Sequence, residues 1–80
     1  MSELKERLAE INPEALFADG LDDALIGYDS KGRAVYDADK MTRIFMERDG
    51  MTEEVAREHF EFNVEQAYVG DYTPIYVFHA

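Results

Sequence analysis

The stretch DALIGYDSKGRAVYD, residues 23–37, constrains the fold more than any other part of the chain. Two apolar and aromatic runs, Leu25–Tyr28 and Ala34–Tyr36, flank DSKG, and Gly32 stands ready for the left-handed position of a bulged turn. That is the pattern of a β-hairpin. It also sets a problem of chemistry, because Asp29, Asp37 and Asp39 fall close together. On a calcium-binding helix–loop–helix template Asp29 takes position 1 and Asp37 position 9. Lys31, Arg33 and Lys40 then occupy slots that need oxygen donors, and the glycine falls two places early. The aspartates therefore read as a turn residue and helix-start signals.

Helical signals surround the hairpin. SELKERLAEI reads as a helix capped by Ser2, with Leu4, Leu8 and Ile11 on one stripe. NPEALFADG reads as a second short helical turn, with Asn12 as cap, Pro13 as first residue, Gly20 as stop, and Leu16 and Phe17 turned into the core. DADKMTRIFMERDG follows as a helix capped by Asp37, with Asp39 in its first turn, Gly50 at its end and Met41, Ile44 and Phe45 inward. MTEEVAREHFEFNVEQAYVG is expected as the last and longest helix, capped by Thr52 and ended by Gly70. TPIYVF closes the chain as a strand, with Pro74 at its start, where a missing N–H does least harm. The expected fold is one α+β domain over residues 1–80, in the order α-(α)-β-β-α-α-β. Its three-stranded, mainly antiparallel sheet packs against the helices, and the edge joined by the last strand is left open.

Composition narrows the function classes. The chain has 80 residues and no cysteine, which removes disulfides, thiolate chemistry and cysteine-based metal sites and favours a reducing, cytoplasmic setting. No apolar run approaches the roughly 18–20 residues of a membrane span. A net charge of −10 opposes direct contact with nucleic acid or an anionic membrane surface and suits basic protein partners. Acidity that serves only to keep a small protein in solution is the plainer reading.

Catalytic and cofactor patterns are weak. His59 and His79 stand in no metal-ligating spacing, Ser2 and Ser30 are a cap and a turn residue, and GYDSKG lacks phosphate-loop spacing. Carboxylate pairs can be drawn anywhere among eighteen acids and so identify nothing. The expectation is a non-enzyme with no catalytic residue, no metal and no cofactor. Asn63, on a stripe with Ala56, Phe60 and Ala67, is expected as a buried amide that fixes how the last helix meets the sheet, with a polar contact in a groove as the alternative.

The acids of that helix are more specific. Glu54, Glu58, Glu61 and Glu65 are spaced 4, 3 and 4, one helical face about 16 Å long. Arg57 is the sole Lys or Arg from residue 49 to 80, and it lies to one side of the row. Each like-charged neighbour pair costs roughly 0.2–0.5 kcal/mol in an isolated helix, about 1 kcal/mol for the row. Two readings stand: a solvated face, or a surface that imitates a phosphate backbone. Asp71 extends the same sign, and Tyr68 and Tyr72 are candidate anchors beside the acids.

ALIGYDSKGRAVYD, RDGMTEEVAREHFEFN and AYVGDYTPIYVF together resemble small acidic proteins of unknown role from bacteriophage and prophage genomes. Such proteins include anti-CRISPR proteins. The resemblance implies an inhibitor of a type I Cascade surveillance complex, type I-C being the subtype suggested, and transfers no binding residue. The expected function is a host-defence inhibitor that lays Glu54, Glu58, Glu61, Glu65 and Asp71, with Tyr68 and Tyr72, against a basic DNA-binding surface and blocks target DNA. It is expected as a monomer or weak homodimer. The alternative is a small structural or regulatory phage protein that self-associates through its sheet.

Overall fold

The computed structural model describes residues 3–18, 20–65 and 70–79, with Glu65 described through its backbone only. Helix α1, Glu3–Ile11, buries Leu8 completely, while Ile11 ends on the surface. Ile11 leaves the expected stripe because the helix stops there. Asn12 closes it through its N–H to the Leu8 carbonyl (2.8 Å), and its amide Nδ2 donates to the Gly32 carbonyl (3.1 Å).

Beyond Asn12 the second helical turn is reduced to a single turn at Pro13–Glu14. The Asn12 Oδ1 accepts from Glu14 N and the Asn12 carbonyl from Ala15 N, as a cap should. The rest of the segment is irregular because a tertiary partner takes its backbone: Ala18 N donates to the hydroxyl of Tyr36 at 2.9 Å. Phe17 packs partly against the core with the Lys5 ammonium 5.2 Å from its ring centre, but Leu16 is exposed, contrary to expectation. The local helical content falls instead in a 3-10 turn at Asp22–Ala24.

The hairpin forms as strands β1, Leu25–Tyr28, and β2, Ala34–Asp37, antiparallel with a bulge between Leu25 and Gly27. Asp29 holds its turn. One carboxylate oxygen accepts from Lys31 N (3.0 Å) and Arg33 N (2.8 Å), and the other from Arg33 Nε (2.6 Å). Desolvation pushes the Asp29 carboxyl upward, and the bonds from Arg33 and Lys31 outweigh it, so its pKa lies below the ordinary value. Gly32 adopts φ +79, which a Cβ-free residue takes without strain.

Helix α2, Ala38–Asp49, starts at Asp37, whose side chain accepts from Lys40 N, and ends at left-handed Gly50. Ala38, Met41 and Phe45 form its buried face. Helix α3, Glu53–Phe60, is capped by Thr52 and buries Ala56 and Phe60. It is shorter than expected, since the chain passes at Glu61–Glu65 into a π-helical turn. Residues 66–69 of the anticipated helix lie outside the described residues, as does the proposed cap Ser2.

Strand β3, Ile75–Val77, joins the free edge of β2, giving sheet order β1-β2-β3. It runs parallel to β2, with Val35 opposite Ile75 and Asp37 opposite Val77, so the sheet is mixed. Parallel neighbours need a long crossover, and the α2–α3 pair supplies it. Ala34 and Tyr36 face the core, which gathers Leu8, Leu21, Ala24, Leu25, Met41, Phe45, Ala56 and Phe60 around them. Tyr76 stacks on Tyr36 with ring centres 6.0 Å apart and meets the edge of Phe60 at 5.4 Å. Partial burial of that phenol raises its pKa. Tyr76 is therefore a core residue. No helix among the described residues is long and apolar enough to cross a membrane.

Candidate partner-binding surface

Thr52 starts α3 by accepting from Val55 N at 3.3 Å, and Ala56 and Phe60 fix which side faces inward. Everything opposite that pair must face water. Glu54 and Glu58 stand one turn apart on this outer side, and both are exposed. Glu61 follows in helical conformation, also exposed, its N–H shared between the carbonyls of Arg57 and Glu58.

None of the three glutamates makes an ion pair or side-chain hydrogen bond among the described residues. The cation that could have neutralised them, Arg57, is spent elsewhere: its Nη2 lies 2.9 Å from Glu53 Oε1, an i,i+4 pair beside the row. Arg57 also borders a shallow groove with Glu61, Asp39, Thr42, Phe60 and Phe78, yet makes no ion pair with Glu61. The structure thus brings together Glu54, Glu58 and Glu61 as one anionic strip.

Other expected site residues sit apart. Asp71, exposed, and Tyr72, half-buried, line a groove of about 670 Å³ with Lys31 and Arg33 of the hairpin turn. Asp71 thus shares its surroundings with two cations, and that groove is not of one sign. The side chain of Glu65 and all of Tyr68 lie outside the described residues.

Asn63 is exposed, not buried, with Nδ2 3.4 Å from Nδ1 of His59. The π-helical turn explains the change: bonding that shifts from i−4 to i−5 carries the following residues off the Ala56–Phe60 stripe. His59 itself is half-buried, its ring edge-on to Phe45 at 4.8 Å.

Two groupings in the structure were not anticipated from the sequence. Phe62 and Phe78, 69% and 60% exposed, are the most exposed large apolar side chains described. Phe62 was legible, because two residues beyond inward Phe60 is about 200° around a helix. Phe78 was not, since its exposure depends on where β3 ends. The second grouping is Asp37, Asp39 and His79. Asp39 Oδ2 accepts the His79 N–H at 3.0 Å, and Asp37 Oδ2 lies 2.9 Å from His79 Nε2. Nothing local in the sequence joins residues this far apart.

Among the described residues these three form the one group of at least three metal-type side chains, their donor atoms within 4.8 Å of one another. The group is accounted for without a cation. Asp37 spends its other oxygen on Lys40 N, both acids face His79, and the positive end of α2 disfavours a cation. The His79 hydrogen bond and the Lys40 N–H hold the Asp37 carboxyl below its ordinary range, and the Asp37 hydrogen bond raises His79.

No protein-family model, curated protein or solved structure matches the chain.

Proposed function

We propose that the protein is a non-enzymatic binding module whose α3 surface engages a basic surface on a protein partner. The observation that supports this reading is the exposed and unpaired state of Glu54, Glu58 and Glu61, beside an Arg57 committed to Glu53. An acid row meant only for solvation gains nothing from having its one cation turned aside. A partner that supplies the cations removes the mutual repulsion on binding and is steered toward the strip by the −10 net charge.

A surface that normally holds the phosphates of DNA or RNA has the required sign, so the module acts by competing with nucleic acid. The resemblance to phage proteins makes a type I Cascade complex the first target to test. The measurement is competition for target DNA by the purified complex, with the wild-type protein and with E54K/E58K/E61K. The wild type should bind, with an affinity that falls steeply as salt rises. The triple variant should stay folded by circular dichroism and bind about a hundredfold or more weakly, since like-charge contacts cost several kcal/mol. Equal potency of the two proteins excludes the acid strip as the contact.

A second reading, self-association through the sheet, draws on a different observation. The outward side of the sheet carries exposed Ile26 and Val77 and half-buried Val35 and Ile75. Light scattering on the pure protein separates the two: a tight dimer broken by V77K favours the sheet, and a monomer favours the acid strip.

A further inference from the structure

Strand β3 is three residues long and pairs on one side only, and its last partnered residue is Val77, opposite Asp37. Two kinds of contact seat the segment beyond it. The Phe78 ring meets the edge of Phe60 with centres 5.8 Å apart, though Phe78 stays 60% exposed. His79 makes the other two contacts, one from its backbone N–H to Asp39 and one from its imidazole to Asp37.

The imidazole contact is the unusual one. Asp37 is 7% exposed, and its Oδ1 is committed to capping α2 through Lys40 N. Its Oδ2 faces Nε2 of His79 and needs a proton between the two atoms. An imidazolium always supplies that proton, as a charge-assisted bond. A neutral ring supplies it only in the tautomer protonated at Nε2; in the other, two lone pairs face each other at 2.9 Å.

The remaining charged groups at this place nearly offset one another. Asp39 and Arg43 come from α2, and Glu53 and Arg57 face the same groove from α3. Glu61 borders the adjoining groove with Phe78. The balance thus rests on the Asp37–His79 contact.

We propose that His79, Asp37 and Asp39 form a proton-operated clasp, closed while the imidazole is charged and loosened when it is neutral, that governs whether Phe78 and His79 stay seated against α2 and α3. The clasp is independent of the partner-binding reading, although the segment it holds borders Glu61.

The sign follows from the direction in which each group is moved. His79 is raised above its ordinary 6.5, so the charge-dependent part of the closure is complete below that value and fades as pH climbs through the closed-state value. Asp37 is lowered below 3.8, so closure also fails in acid once that carboxylate takes a proton. Closure is firmest between these limits. The imidazole side chain is 71% exposed, so water screens the contact and a local probe is needed in place of a melting curve.

The test is an NMR titration of the whole chain from about pH 5 to 8.5, following the His79 ring and the amides of Phe78 and His79. Asp37→Ser is the central variant, because serine still caps Lys40 N while removing the carboxylate that faces the ring. The wild-type His79 should titrate at higher pH than in D37S, and the Phe78 and His79 amides should follow its midpoint. In H79Q that amide titration should vanish while the rest of the spectrum holds. Equal His79 midpoints in wild type and D37S, or amide titration that persists in H79Q, overturns the clasp.

Discussion

Removing the charge from Glu58 and Glu61 should make the protein more stable. In E58Q/E61Q the carboxylates become amides of nearly the same shape, on side chains that make no ion pair or hydrogen bond among the described residues. Two repulsions between described side chains disappear, Glu54 with Glu58 at i,i+4 and Glu58 with Glu61 at i,i+3. At roughly 0.2–0.5 kcal/mol each the gain is about 0.4–1 kcal/mol. For a domain of this size that corresponds to a rise in Tm of about 2–8 °C. Thermal unfolding followed by circular dichroism at low ionic strength reads it directly, and added salt should shrink the difference, because exposed charges are screened over about 8 Å at 0.15 M. A fall in Tm, or a gain that survives high salt, refutes the reasoning. A fall in Tm means that the glutamates have favourable contacts within the chain, and the proposed function fails with it; a gain that survives high salt means that something other than charge repulsion has been relieved. A stabilised protein that no longer binds its partner is the outcome that joins the two claims.

Phe60→Ala removes a ring that is 2% exposed and touches both Tyr76 and Phe78; it should cost about 3–5 kcal/mol, enough to leave a chain of this length largely unfolded in urea titrations. Gly32→Ala forces a side chain into left-handed backbone and sets its Cβ about 2.9 Å from that of Asn12, so the urea midpoint should fall by an equivalent of about 1–3 kcal/mol. Thr52→Ala withdraws the acceptor for Val55 N and should cost about 1 kcal/mol, read in the same titration.

Those substitutions divide by how their roles are encoded. Asp37, Thr52, Gly32 and Gly50 act on backbone a few residues away, so cap and turn chemistry identifies them in the sequence, and the structure places all four as expected. The outward side of α3 was legible for the same reason, because helical spacing settles it once Ala56 and Phe60 are inside. What was not legible depends on distant partners. Ala18 gives its N–H to Tyr36, which ends the helical pattern after Pro13 that the local residues favour. The direction of β3 is set by how α2 and α3 return the chain, which no spacing within TPIYVF records. Asn63 was misplaced because a π-helical turn breaks the period on which its stripe rested. His79 reaches Asp37 only after β3 has been laid beside β2.

Tyr36 binds these distant pieces into one thermodynamic unit. Its hydroxyl holds the irregular segment through Ala18, and its ring lies on Tyr76, which in turn meets Phe60 of α3. Paired substitutions at Tyr36, Tyr76 and Phe60 will therefore be non-additive, because each change loosens the surroundings of the next. The Ala18 amide, far from α3 in sequence, thus becomes a reporter for the whole core: its exchange with solvent should keep pace with global opening while the hairpin tip exchanges sooner.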